Sequence, residues 1–327
     1  MTTRPAAAID RITLIVSDLD RAEDDYVRTF GCRVEHRGDI DPALIRVLCI
    51  RQARGRRSLL RLGRERIELL EFTDSAGRPY PPGSTSTDLW FQHLAIVVTD
   101  MGHAYQRVMA NRRFRPISRD GPVRLPETSG GVMAFKFRDH DGHPLELLAF
   151  PERDVPGPWR GSNGPFLGVD HTAIAVSDPA RSVRFFTSVF GFSTGTRTEN
   201  RGPEQADLDD VDDVHVSVTR LAPDLPAPRM ELLHYHVGPR RPIPPDTASN
   251  DIVATHSVVR VTSLDATAAA LARCGVPLTG DDFMTLNGGM RAALISGPDG
   301  HRFLAEERAA AVTCAAPGPA LAREQDS

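Results

Sequence analysis

The 327-residue sequence has little lysine, little cysteine and few aromatic residues. Lys136 is the one lysine among 39 basic residues, and 43 acidic residues bring the formal charge to −4. A near-neutral chain without a basic face lacks the electrostatic footprint of a nucleic-acid binder. No block of like charge marks an acidic or basic tail. The excess of arginine over lysine accompanies an Ala-, Gly- and Pro-rich composition and reads as coding bias. The four cysteines, at 32, 49, 274 and 314, form no CxxC pair, so no secreted disulfide framework is indicated. No apolar run approaches the ~18 residues that span a bilayer. The opening stretch, MTTRPAAAIDRITLIV, lacks the order of a signal peptide. These absences lead us to expect a cytoplasmic protein with no membrane or nucleic-acid partner.

What is present is a repeat. Ile9–Asp18 and Val169–Asp178 align without a gap as Ile-Asp-Arg-Ile-Thr-Leu-Ile-Val-Ser-Asp and Val-Asp-His-Thr-Ala-Ile-Ala-Val-Ser-Asp. Both are branched apolar runs, hence buried strands. Each leads through an N-cap-like Asp into an amphipathic stretch that ends at Phe30-Gly31 or Phe190-Gly191, with Gly as a helix stop. Weaker copies begin at Phe91-Gln-His-Leu-Ala and Ala254-Thr-His-Ser-Val. These two close on Asp-Gly hairpins at His140–His143 and Pro298–His301, a strong turn signal between alternating strands. The pattern is βαβββ four times, with Pro/Gly-rich links. We expect an N-terminal domain at 8–150, a linker at 151–168, a C-terminal domain at 169–308, and a disordered tail at 309–327.

Four βαβββ copies, three of them with His at the third position of the opening strand, resemble the vicinal oxygen chelate superfamily. Glyoxalase I, extradiol dioxygenases, methylmalonyl-CoA epimerase and the fosfomycin- and bleomycin-resistance proteins belong to it. The resemblance implies an α+β fold in which modules pair into two half-open mixed β-barrels. Each concave face would hold a divalent metal (Fe, Zn, Ni, Co or Mn) on residues of the first and last strands.

Carried over one residue at a time, and with modules paired within each half, the resemblance implies two ligand sets. The C-terminal half offers His171, Glu231 and His256, with Leu304 at the fourth position. Two imidazoles and a carboxylate suit Fe, Zn, Ni or Co. The N-terminal half offers Glu68, His93 and Glu146, with Arg11 where a ligand would stand. A guanidinium is no ligand, so Arg11 there implies either an Arg–Glu network replacing the ion or a substrate contact. Glu306 shares a strand face with Leu304 and is a substitute ligand after a shift. Arg260 shares a face with His256 and is expected to bind a substrate carboxylate or phosphate. His234 and His236 fall on the strand face opposite Glu231, outside the site. His140, His143 and His301 sit at hairpins and are expected to be exposed. Lys136 precedes the N-terminal hairpin, where one residue carries little weight.

Three functions follow from the resemblance. The first is a metal-dependent lyase or isomerase of glyoxalase type, in which the ion holds two neighbouring substrate oxygens and Glu231 or Glu146 moves the proton. The second is Fe(II)-dependent ring cleavage, disfavoured because Leu304 and Leu294 replace a glutamate and a tyrosine that such enzymes use in the C-terminal pair. The third is a metal-free small-molecule binder or resistance protein, with a cavity lined by aromatics such as Trp90 and Phe91. The chain is expected as a monomer or a homodimer.

Overall fold

In the computed structural model the described residues are 7–50, 52–162, 164–223, 228–279 and 283–308. The expected tail at 309–327 lies outside them.

Each module opens with a strand: Ala7–Ile15, Gln92–Val98, Phe166–Ala175 and His256–Val261. A helix follows each one. The turn into it is capped by Asp18, Asp100, Asp178 or Ser263, whose side-chain oxygen accepts the backbone N–H three residues on, the usual way to satisfy an orphan donor. Gly31 and Gly191 end the first and third helical segments at φ 74° and 72°, a left-handed conformation that costs glycine little. Each module returns through a closing strand parallel to its opening strand. The closing strands are Glu65–Phe72, Pro144–Ala149, Arg229–Tyr235 and Arg302–Arg308.

Two mixed sheets result, but their composition corrects the expected pairing within each half. The opening strand of the first module pairs antiparallel with that of the fourth. The opening strand of the second pairs antiparallel with that of the third. One sheet therefore joins modules one and four, and the other joins modules two and three. The physical reason lies in the links. Residues 73–91 and 236–255 both cross between the sheets and lie against one another. Arg78 forms an ion pair with Asp251 at 2.7 Å, and Arg241 one with Asp88 at 2.6 Å. The amide of Asn250 donates to Ser75. At Gly77 a Cβ would lie 1.9 Å from the Asn250 carbonyl oxygen, so the straps approach as closely as they do only because that residue is glycine.

Helices from all four modules fill the space between the sheets. Tyr26, Phe30, Val108, Phe186, Phe190 and Leu271 share one core there with strand residues such as Leu69 and Leu232. Their strand neighbours Leu70 and Leu233 belong to separate apolar clusters on the outward, concave faces, as side-chain alternation requires.

The hairpin histidines are not exposed as expected. His143 and His301 are buried, because the hairpin tips tuck against the straps. His143 Nδ1 lies 2.9 Å from Asp139 and its Nε2 3.1 Å from the carbonyl of Ile252. The His140 side chain is also largely enclosed, 3.3 Å from Asp25 and 3.1 Å from Asp141. Burial alone would lower its pKa, yet the carboxylates of Asp141 and Asp25 raise it from 6.5 to about 9. A group with a raised folded-state pKa stabilises the fold fully below its unfolded value and loses that contribution as pH climbs through the folded one. The stability deficit of His140→Asn, read from denaturant midpoints, should be largest at pH 6 and shrink towards pH 9–10. A deficit that grows with pH would contradict this assignment.

Candidate metal centre

The two concave faces are built alike and filled differently. On the sheet of modules two and three, a bulge interrupts the pairing between Val169 and His171. A bulge adds a residue to one strand and re-aims the side chains after it. Here His171 turns into the concave face, with Ala173 and Ala175 beyond it in the apolar cluster. In the register, Ala173 stands opposite His93. His93 and His171 therefore come from adjacent antiparallel strands, with their Nε2 atoms 3.3 Å apart. Glu146, on the closing strand beside Gln92–Val98, places Oε2 3.0 Å from His93 Nε2 and 3.7 Å from His171 Nε2. All three residues are buried, and their ligand atoms lie within 4.8 Å of one another. Glu231 comes from the closing strand on the other side and stands further off. Its Oε2 is 3.5 Å from His171 Nε2, and its Oε1 accepts a hydrogen bond from Arg220 Nε at 2.9 Å.

The surroundings orient these groups for a cation. Asp170, the residue at the bulge, lies 2.8 Å from His171 Nδ1 and also pairs with Arg229. A proton shared between Nδ1 and that carboxylate leaves Nε2 as the donor atom, the usual support of a metal-bound imidazole. Burial depresses His93 and favours its neutral form. Burial would raise Glu146, but His93, Lys136 and His171 hold its pKa down at about 2. Two imidazoles and an ionised carboxylate aimed at one point, with a second carboxylate beside them, fit a divalent transition ion.

A cavity of 70 Å³ opens over these groups. Leu125, Leu148, Val216 and Val218 supply its apolar wall, and Lys136, Asn200, Gln205 and Tyr235 its polar one. Lys136 stands opposite Glu146 in the strand register and donates to Asp209 Oδ1 at 2.6 Å. Tyr235 and Gln205 donate to the other oxygen of Asp209 at 3.0 and 2.7 Å. Sequence reasoning gave Lys136 no role. Its one signal was being the only lysine in a chain that otherwise uses arginine. Asp209 carried no signal, since it arrives on a short helix, Pro203–Asp209, that no repeat or motif marks.

The sheet of modules one and four has the same frame. A bulge between Ile9 and Arg11 aims Arg11 inward. Arg11 Nε lies 3.1 Å from Glu68 and Nη2 2.7 Å from Glu306. Thr13 donates to Glu68 as well, and Arg57 pairs with its other oxygen. Burial alone would lower the Arg11 pKa, but Glu68 and Glu306 raise it further above its ordinary value. His256 lies on this face, where burial depresses its pKa to about 4. The rest of the face is packed with Leu44, Leu48, Leu70, Leu294 and Leu304.

Both expected ligand sets are therefore regrouped. His256 does not join His171 and Glu231, and Glu68 does not join His93 and Glu146, because the modules pair across the halves. Arg11 forms the expected Arg–Glu network, with Glu306 in place of Glu146, and has no free face for substrate. Arg260 is half-exposed and pairs with Asp10 at the sheet margin, away from the cavity. Trp90 and Phe91 are buried, and the Phe91 ring lies edge-on to His93 at 5.8 Å.

Two paired βαβββ sheets, one carrying a buried His/Glu cluster, define the class of protein. The sequence matches the Glyoxalase/Bleomycin resistance protein/Dioxygenase superfamily over residues 8–147 and 168–304, and the chain belongs to that family. Among solved structures it is similar to glyoxalase I from Zea mays, at 16% identity over 93% of each chain with a TM-score of 0.63. It is also similar to a putative dioxygenase from Bacillus subtilis, at 14% identity over 94% of this chain and 87% of that one, with a TM-score of 0.57. No curated protein matches the sequence at a significant level.

Removing one member of a buried ion network leaves a charge uncompensated and costs about 3–5 kcal/mol. Arg11→Met should lower unfolding stability by about that much and leave the protein's metal content, read by elemental analysis, as in the wild type. A loss of metal without a loss of stability would place the ion on the wrong sheet.

Proposed function

We propose that the chain is a metal-dependent enzyme with one working site, on the sheet of modules two and three, that moves a proton within a small oxygenated substrate in the manner of a glyoxalase-type isomerase or lyase. The observation that carries this reading is the convergence of His93, Glu146 and His171 in a buried cavity beside Glu231. Nε2 of each histidine and Oε2 of Glu146 would hold the ion. When bound, it supplies a Lewis acid for two neighbouring substrate oxygens. Glu231 lies outside the tight triad and is held at its far oxygen by Arg220. It is the carboxylate placed to take a proton from the substrate carbon and return it to the adjacent one. Glu146, clasped by His93, is the alternative. The apolar wall excludes water, while a Lys136 N–H not taken by Asp209 can donate to a substrate oxygen on which negative charge develops.

The other set carries no such chemistry. Arg11 occupies the equivalent place, and leucines fill the space a substrate would need. Both sheets are completed within one chain, so the site asks nothing of a second copy.

A second reading has one observation in its favour. A tight triad of two histidines and one carboxylate is also the arrangement of Fe(II) oxygenases. Against ring cleavage, the position six residues before the second module's hairpin glycine, where such enzymes carry tyrosine, is Lys136. Oxygen uptake with a catechol panel under Fe(II) separates the two readings.

The main test combines elemental analysis with turnover. His93→Ala and His171→Ala should each lose the ion and activity, and His256→Ala should keep both. On a panel of 2-oxoaldehyde–thiol adducts and α-hydroxy carbonyl compounds in D₂O, the wild-type protein should exchange a carbon-bound proton. Glu231→Gln should lower kcat by about 10²–10⁴-fold, the usual scale for a general base, while retaining metal. Full turnover in verified metal-free protein would overturn the proposal.

A further inference from the structure

The rim of the cavity carries a guanidinium that the fold leaves half unused. Arg220 lies on strand His215–Ala222, on the face that sends Val216 and Val218 into the cavity. It stands directly opposite Glu231 in the register, and its Nε donates to Glu231 Oε1 at 2.9 Å. Among the described residues, nothing accepts from its two Nη groups. The neighbouring strand makes room for them. Strand Ser193–Arg201 forms the sheet edge and bulges between Thr194 and Arg197, so Gly195 and Thr196 both face Arg220. A bulge bends the strand that carries it. At Gly195 a Cβ would lie 3.2 Å from Arg220 Cβ, so glycine keeps that approach clear. The Arg220 side chain lines the cavity and is still 42% exposed.

Distances fix what the free edge can reach. Oε1 of Glu231 is held by Arg220, and its Oε2 is 3.5 Å from His171 Nε2. One carboxylate therefore separates the guanidinium from the imidazole. A substrate group bound to the Nη edge sits beside the carbons on which Glu231 acts. The enclosed volume of 70 Å³ equals that of about two water molecules, so it admits the reacting fragment and little else. Any further substituent leaves past the rim.

Charge decides the chemistry of that substituent. Among the groups lining the cavity and their ion-pair partners, Glu146, Glu231, Asp170 and Asp209 are carboxylates, and Lys136, Arg220 and Arg229 are cations. With both imidazoles neutral, as metal ligands must be, a divalent ion turns a net negative charge into a single positive one. An uncompensated enclosed charge is costly, and a singly charged substrate removes it. A carboxylate does so and matches a guanidinium edge through two parallel hydrogen bonds. A phosphate monoester brings nearly two charges.

We propose that Arg220 is the specificity-determining residue of this site, and that its free Nη edge binds a carboxylate borne by the substrate beside its reacting carbons. This rests on the reaction proposed above and narrows its substrate class to small hydroxy- or oxo-carbonyl compounds that carry one carboxylate.

The test compares three α-hydroxyketones that differ in one group. They are dihydroxyacetone, hydroxypyruvate (a carboxylate in place of one CH₂OH) and dihydroxyacetone phosphate. Calorimetry on the metal-loaded full-length chain reads binding, and NMR in D₂O reads proton exchange. Wild type should bind hydroxypyruvate about 10–100-fold more tightly than dihydroxyacetone, the scale of a hydrogen bond to a charged group. In Arg220→Gln that preference should vanish, with dihydroxyacetone bound as before and metal content unchanged. If Arg220→Gln fails to fold, Arg220→Lys, which keeps the charge but loses the fork, should cut the same ratio. A residue that only steadied Glu231 would slow exchange of both compounds and leave their binding ratio intact, which would overturn the proposal. Equal binding of the two by the wild type, with exchange in both, would overturn the carboxylate subsite and leave the isomerase reading standing. A preference that survives in metal-free protein and is lost in Arg220→Gln would support the subsite and contradict the metal chemistry. Tightest binding of dihydroxyacetone phosphate would overturn the assignment to a carboxylate.

Discussion

The antiparallel register between Gln92–Val98 and Phe166–Ala175 decides which side chains can meet. It sets Ala173 against His93 and, through the bulge at Asp170, turns His171 toward His93 across the strand pair. Closing strands on either side then bring Glu146 and Glu231 to the same face. With any other pairing of the four modules, these residues would be spread over two surfaces. The Arg78–Asp251 and Arg241–Asp88 ion pairs between the crossing straps, with the close backbone approach at Gly77, belong to this arrangement and would be lost in another.

The two faces show how one frame supports opposite outcomes. Each has a bulge at an Asp, a cationic or imidazole side chain aimed inward, and a carboxylate on the closing strand. Where the inward residue is His171, the neighbouring Asp170 orients it and a cavity remains. Where it is Arg11, a permanent guanidinium charge binds Glu68 and Glu306 directly, and leucines close the space. A buried carboxylate needs a partner in either case. An arginine supplies a fixed one, and a metal ion supplies one that can also act on a substrate.

Much of this was legible in the sequence. The strand–helix–Gly rhythm located the modules, and the third position of each opening strand, together with the closing glutamates, named every residue of the inner cluster. The grouping was not legible. All four opening strands carry similar apolar runs, so local pattern is satisfied by any partner, and the choice is made by contacts between straps distant in sequence. The burial of His143 and His301 was missed for the same reason, since the straps that cover the hairpins leave no periodic trace. The pairing of Lys136 with Asp209 escaped because a two-residue contact across 73 positions has no spacing rule.

The decisive fact is where the reaction-site ion binds. Anomalous diffraction from crystals loaded with zinc or cobalt locates it directly. A peak is expected within bonding distance of Nε2 of both His93 and His171 and of Glu146, on the face that Glu231 shares. A peak bonded to His256 and Glu68, or to His171 without His93, would contradict it.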